Sequence, residues 1–211
     1  MAQQLLETPA EVHPPGGPGI PDFGGGDGDS GRPSPEGAPI AHAGVWLLLG
    51  AVTMLFLGFT STYLARRTGS DWTPVSMPGI LWFSTAVLVL SSGVLEWGRS
   101  GFRRGDGVRL QPAVNVATLL GILFVLGQLA AWRQLAAAGV FLASNPHASF
   151  FYVLTAVHAA HVLAGLGWLI VGAVRLRHHG PTAARAVTSG AIYWHFVGVL
   201  WIYLWVLLFW I

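Results

Sequence analysis

Five long intervals without a charged side chain constrain this fold more than any other feature of the sequence. These intervals cover residues 43–65, 72–95, 110–132, 134–174 and 186–211. A helix that crosses the hydrocarbon core of a membrane needs roughly 20 apolar residues. We therefore predict an all-α fold, a polytopic membrane helix bundle with five transmembrane helices. The predicted helices cover about residues 43–65, 78–98, 112–138, 148–174 and 188–211.

The composition excludes several other classes of protein. Charged residues make up 9% of the chain, whereas a soluble domain carries roughly 25%. The sequence contains no cysteine, which excludes a disulfide-stapled module, iron–sulfur clusters and copper centres that need a thiolate ligand. All basic residues are arginines scattered between apolar runs, so we expect a membrane partner and no nucleic acid.

The N-terminal segment differs from the rest of the chain. Residues 1–40 are rich in proline and glycine and contain six of the nine acidic residues. Such a segment buries too little apolar surface to offset the entropy of ordering it. We therefore predict a disordered acidic tail over residues 1–40, followed by one transmembrane domain over residues 41–211. A segment that folds on a partner is the alternative.

The arginines predict how the helices are oriented. Arg99, Arg103, Arg104 and Arg109 follow the second predicted helix, and residues 175–185 after the fourth hold three more. Both loops lie on the same side of the membrane as the N-terminus. Arginine-rich short loops stay on the cytoplasmic side. We expect the chain to lie in the inner (cell) membrane of a bacterium, with the N-terminus in the cytoplasm and the C-terminus on the external side.

Three histidines fall inside the predicted membrane segments, where polar side chains need a specific reason to be present. His158 and His161 share a face of the fourth helix with Gly165, and His195 shares a face of the fifth with Gly198. We expect these two faces to meet. The histidines pack and hydrogen-bond, bind a lipid headgroup, ligate haem or metal, or relay protons. Haem ligation by two histidines needs both imidazoles at the same depth. It fits poorly, because His195 lies about 10 Å and His161 about 20 Å from the cytoplasmic ends of their helices.

Glu96 lies near the end of the second predicted helix, three residues before Arg99. This spacing predicts an i, i+3 ion pair at the membrane surface. A carboxylate that faces a buried cleft or a lipid headgroup is the second interpretation.

Several strings in these helices resemble a known family. Residues 150–166 read FFYVLTAVHAAHVLAGL, close to the signature FYxLTxxHxxHVxxGL of haem–copper oxidase subunit III. Residues 193–201 read YWHFVGVLW, similar to YWHFVDVVW in the last helix of that family. Residues 131–135 and 90–97 also look like its bacterial members. The likeness covers about residues 42–211 and includes the five-helix bacterial form.

The resemblance implies an accessory subunit of a proton-pumping terminal oxidase that reduces oxygen to water, with cytochrome c as the expected electron donor. It implies no catalytic centre and no cofactor in this chain, with haems and copper held by oxidase subunits I and II. It also implies bound phospholipid, and membership of a larger respiratory supercomplex is open. Glu96, His158, His161 and His195 are the candidate structural or lipid-site residues.

The sequence departs from the family at two places. Residues 45–52 contain no acid, although the first span of the family often carries a glutamate, and Gly198 stands where an aspartate is usual. Roles that rest on those acids do not transfer to this chain. Two further interpretations remain: a subunit of a quinol oxidase or of a nitric-oxide-reductase-associated complex, and a membrane anchor in which His195 and His158 or His161 ligate haem.

Overall fold

A computed structural model describes residues 37–179 and 183–210, and this part of the chain folds into five long α-helices. They are α1 (Gly37–Arg67), α2 (Ile80–Arg103), α3 (Leu110–Ala137), α4 (Pro146–His179) and α5 (Ala184–Trp210). All five are long and apolar enough to cross a membrane. The prediction of an all-α membrane bundle is confirmed. The predicted tail lies outside the described residues except for its last four, which begin α1.

The helix ends follow local chemistry. Asn145 precedes α4, and its side-chain oxygen accepts a hydrogen bond of 2.8 Å from the backbone N–H of Ala148, as helix N-caps do. Pro112 lies in the first turn of α3, where a missing N–H costs nothing. Gly105, between α2 and α3, has a φ of 91°, a backbone conformation that favours glycine.

The helices α2 and α3 approach each other closely at Gly98. A Cβ atom built on Gly98 would overlap the Cβ of Ala113 and lie 3.3 Å from the carbonyl oxygen of Arg109. Small residues at a helix contact let two backbones come together, which is how helices associate in lipid. The helix α5 packs against α2 and α4, and α1 lies against α4 and α5.

Buried polar side chains tie the helices together across the core. The Ser91 hydroxyl of α2 donates to the carbonyl oxygen of Ala117 in α3 at 3.0 Å and accepts from Nε1 of Trp194 in α5 at 3.1 Å. Nε1 of Trp201 donates to the Thr85 hydroxyl at 2.9 Å. A buried indole N–H at membrane depth needs such a partner, because lipid offers none.

Two contacts show which helix ends lie together. The backbone N–H of Val75 donates to Nδ1 of His147 at 3.0 Å, so the α1–α2 loop meets the start of α4. Nε2 of Gln111 donates to the carbonyl oxygen of Ala173 at 3.2 Å, so the start of α3 meets the end of α4. The helices therefore alternate in direction through the bundle. We call the end with His147 the His147 end and the other the Gln111 end.

Candidate functional site

Glu96 lies in the last turns of α2, at the Gln111 end, and its carboxylate forms ion pairs with two arginines. Its Oε2 lies 2.6 Å from Nη1 of Arg99, and its Oε1 lies 2.7 Å from Nη2 of Arg103. The three residues share one face of the helix, because spacings of three and seven residues bring side chains together. The predicted Glu96–Arg99 pair is present. Arg103 as a second partner was not anticipated.

His195 joins this cluster from the neighbouring helix. Its Nε2 lies 3.5 Å from Oε2 of Glu96, which is close enough for an ion pair when the imidazole is protonated but too long for a good hydrogen bond. The Nε2 atom is buried and has no hydrogen-bond partner among the residues that the structure describes. The Glu96 carboxylate of α2 therefore approaches His195 of α5, and Gly198 follows one turn later on the same helix.

Gly198 also faces α2. A Cβ atom at this position would meet the hydroxyl of Ser92 at 3.4 Å, and both residues line a cavity of about 140 Å³ together with His195. The expectation that His195 and Gly198 face the histidines of α4 is wrong. The reason is that α5 packs against both α2 and α4, and the face that carries His195 is the one turned to α2.

The predicted face of α4 does pack against α5. It contacts residues of α5 other than His195 and Gly198. A Cβ atom at Gly165 would lie 3.1 Å from the Trp194 ring and 3.2 Å from the Tyr193 ring. Trp168 of α4 packs on Gly190 of α5 in the reverse arrangement. Glycines on each of the two helices therefore receive aromatic rings of the other, and these contacts form the seam between α4 and α5.

His158 lies at the centre of the bundle, with 1% of its surface exposed. Its ring centroid is 5.1 Å from that of Trp201 in α5 and 6.3 Å from that of Phe124 in α3. Neither ring nitrogen has a hydrogen-bond partner within the described residues. The side chain packs as an aromatic ring among aromatic rings.

His161 is only partly buried and is fixed by its own helix. Its Nδ1 lies 2.7 Å from the carbonyl oxygen of Val157, a contact that is a hydrogen bond when Nδ1 carries a proton. The ring lies 5.8 Å from Phe56 of α1, and the hydroxyl of Tyr193 donates to the carbonyl oxygen of His161 at 3.2 Å. His161 therefore lies where α1, α4 and α5 meet.

The structure does not bring the three histidines into one pocket. His158 lines a cavity between α3 and α4, whereas His195 lines the small cavity between α2 and α5. Within residues 37–179 and 183–210, no three His, Cys, Asp or Glu side chains come together in a group suited to a metal ion. This arrangement does not fit axial ligation of one haem by His195 and His158.

An aromatic cluster at the His147 end was missed in the sequence. His147 is 3% exposed, and the rings of Tyr63 and Trp72 lie 6.3 and 5.2 Å from it. Phe150 closes the cluster at 5.5 Å from Tyr63. The available signal was Asn-Pro before His147, which marks a helix start and places the histidine in the first turn.

The α1–α2 loop beside this cluster carries one ion pair outside the membrane-spanning segments. Arg66 at the end of α1 donates two hydrogen bonds to the Asp71 carboxylate. These hydrogen bonds hold the pKa of the Asp71 carboxyl below its usual value. Both side chains are about half exposed, so this is a solvated pair that orders the loop.

Comparisons with known proteins match the part of the chain that forms these helices. Residues 40–211 match the family model described as cytochrome c oxidase subunit III. The chain is 33% identical over 177 residues to cytochrome c oxidase subunit 3 of Synechocystis sp., covering 79% of this chain and 73% of that protein. It is 33% identical over 174 residues to the probable cytochrome c oxidase subunit 3 of Mycobacterium tuberculosis, covering 79% and 85%. The corresponding protein of Corynebacterium diphtheriae is 30% identical over 182 residues, covering 82% and 88%.

Proposed function

Because the chain belongs to the cytochrome c oxidase subunit III family, we propose that it is the accessory subunit III of a terminal haem–copper oxidase. In this role it packs beside subunits I and II, which hold the haems and copper. The complex reduces oxygen to water and pumps protons. The observation that carries the proposal is the family match, which covers all five membrane helices.

The helix contacts support a scaffolding role. The Ser91 and Trp201 hydrogen bonds fix α2, α3 and α5 relative to one another and pair the buried indole N–H groups of Trp194 and Trp201. In contrast, large apolar side chains of α1 face outward, including Trp46, Leu47 and Met54, which are 65%, 76% and 72% exposed. We propose that such faces contact lipid and the partner subunits.

The four candidate residues fit structural roles better than redox roles. Glu96 binds Arg99 and Arg103 and approaches His195, which braces α2 against α5. His158 packs against Trp201, and His161 lies at the junction of three helices. The chain has no cysteine to bind copper A, in agreement with metal centres that lie in other subunits.

We take cytochrome c to be the electron donor and a bacterial cell membrane to be the location, with the N-terminus in the cytoplasm. The orientation rests on the arginines, because Arg99, Arg103 and Arg109 all lie toward the Gln111 end, where short loops face the cytoplasm. The proposed donor is supported by the relatives, which are cytochrome c oxidase subunits.

Purification of the complex tests this function. The chain carries a C-terminal affinity tag, is expressed from its own locus, and is purified from native membranes in mild detergent. We expect haem-bearing and copper-bearing oxidase subunits to co-purify, and the preparation to consume oxygen when reduced cytochrome c is added. An unrelated membrane protein with the same tag is the control.

Each other outcome identifies a different error. Oxygen consumption with a quinol but not with cytochrome c would overturn the proposed donor. Co-purification of a nitric oxide reductase would overturn the oxidase assignment. A preparation that contains this chain alone, with no oxygen-consuming partner, would overturn the accessory role itself.

A further inference from the structure

A groove runs along the outer side of α3 and α4. It consists of two neighbouring cavities of about 660 and 360 Å³ that share the wall residues Leu129, Trp132 and Ala156. Carbon atoms form nearly all of the surface in both cavities. We call this feature the α3–α4 groove. No residue of α1, α2 or α5 lines it, so it is separate from the helix seams that hold the bundle together.

The length of the groove corresponds to one leaflet of a bilayer. Along α3 its walls extend from Ala136 near the His147 end to Phe124 in the middle of the helix. At a rise of about 1.5 Å per residue, this distance is about 18 Å. The hydrocarbon core of a bilayer is about 30 Å thick, so the groove ends near the midplane.

The aromatic polar atoms of the groove already have partners. Nε1 of Trp132 donates to the Thr155 hydroxyl at 3.1 Å, and the hydroxyl of Tyr152 donates to the carbonyl oxygen of Val140 at 2.9 Å. Both rings therefore offer apolar surface to an occupant. A flexible hydrocarbon chain suits walls of this kind, since it needs no hydrogen bonds.

The mouth of the groove carries a positive charge. Arg133 lines the outer cavity and is exposed, and it makes no ion pair in the part of the chain that the structure describes. It lies in the last two turns of α3, at the depth of the lipid headgroups, where an arginine at a helix end reaches the interface. An anionic group at this point would find a cation without a competing carboxylate.

We propose that the α3–α4 groove binds one acyl chain of an anionic phospholipid, and that the phosphate of this lipid pairs with Arg133. The site takes a lipid of the leaflet at the His147 end. It contains only His158 of the four candidate residues, and the residue that binds the headgroup is not one of them. The site goes beyond the proposed function, because it requires a membrane but no particular oxidase.

Photolabelling of native membranes that contain the full complex tests this site. The probe is phosphatidylglycerol with a diazirine in the acyl chain, and the matched probe is phosphatidylcholine with the same chain. After irradiation, mass spectrometry locates the label on peptides of this chain. We expect the label on residues 124–133 and 152–163, with about fivefold more from phosphatidylglycerol, since one arginine near an anionic headgroup supplies a factor of this size.

Two variants separate the groove from the charge. Ala156 and Ala164 are both exposed on α4, but only Ala156 lines the groove. We expect Ala156→Phe to abolish the label and Ala164→Phe to leave it unchanged. Arg133→Gln should keep the label in the groove but remove the preference for phosphatidylglycerol.

Three outcomes would overturn the proposal. They are a label spread evenly over all five helices, a label that Ala156→Phe does not reduce, and equal labelling by both lipids in the unchanged protein. Competition by a free fatty acid but not by phosphatidylglycerol would overturn the phospholipid assignment. The oxidase subunits in the same membranes are detected separately, so their absence would contradict the proposed function without affecting the labelling result.

Discussion

At the scale of single residues, buried hydrogen bonds matter more than the histidines that stand out in the sequence. The Ser91 hydroxyl is fully buried and connects Ala117 with Trp194, so one small side chain links three helices. His158 is equally buried, yet neither of its ring nitrogens forms a hydrogen bond within the described residues. A polar residue at membrane depth therefore marks a helix contact in one case and an aromatic packing position in the other.

Replacement of Ser91 tests how much its buried hydrogen bonds contribute to stability. We expect Ser91→Ala to destabilise the protein by about 1–3 kcal/mol, because the indole N–H of Trp194 would be left buried without an acceptor. The adjacent Ser92→Ala is the matched control, since the Ser92 side chain makes no hydrogen bond within residues 37–179 and 183–210, and we expect about 0.5 kcal/mol or less. Thermal unfolding of the detergent-purified complex measures both. Equal losses would contradict the role of Ser91.

The Glu96 cluster gives a second prediction at this scale. Glu96→Gln removes the carboxylate that neutralises Arg99, which is only 13% exposed. Because Glu96 itself is 41% exposed, we expect a loss of about 1 kcal/mol, at the upper end for a surface pair.

Asp106→Asn is its control, because it breaks the pair with Arg109, in which both side chains are well exposed, and we expect little change. Thermal unfolding of the complex at low salt measures the difference between the two variants. A Glu96 variant as stable as the unchanged protein would remove the argument that this cluster braces α2 against α5.

At the scale of helices, the number of membrane segments could be predicted because hydrophobicity along a chain is a local property. The ends could not, since a helix continues past the hydrocarbon core. The helix α1 begins at Gly37 and ends at Arg67, beyond the charge-free interval on both sides, and α4 continues through Arg175 and Arg177 to His179. A charge-free interval therefore does not give the ends of the helix that it contains.

The rotation of each helix was the part that the sequence left undetermined. The Glu96–Arg99 pair follows from spacing on one helix, so it was predictable. The approach of His195 to Glu96 depends on how α5 is turned between α2 and α4, which involves the sizes of residues on three helices. For the same reason the sequence did not show that Trp194, one residue earlier, faces α4.

Close contact between helices predicts the effect of a single methyl group. We expect Gly98→Ala to destabilise the protein by about 1–3 kcal/mol, because the new Cβ would overlap Ala113 and push α3 away from α2. Gly93→Ala is the control on the same helix. A Cβ at Gly93 meets nothing within 4 Å, so better helix propensity should leave stability unchanged or raise it by up to about 1 kcal/mol.

Thermal unfolding measures both glycine variants in the same detergent. A tolerated Gly98→Ala would show that α2 and α3 are less tightly packed than described. Loss of stability in both variants to the same degree would point to a general intolerance of α2 instead of a specific contact.

At the scale of the whole molecule, the bundle combines a hydrogen-bonded interior with an outer surface rich in large apolar side chains. The orientation of this bundle is a prediction of its own. We expect a tag at the N-terminus to be reached by protease only after the cells are opened, and a tag at the C-terminus to be reached in intact spheroplasts. The reverse pattern of cleavage would show that the arginines near Arg99 and Arg175 do not set the topology.

The central claim is that this chain supports metal centres held by other subunits and has none of its own. Its most direct test is a reduced-minus-oxidised absorption spectrum of the chain expressed and purified alone, in a host that makes haem. We predict no haem bands in this spectrum. A Soret band that shifts on reduction, and that disappears when His158 or His195 is replaced, would contradict the claim and identify a haem-binding anchor.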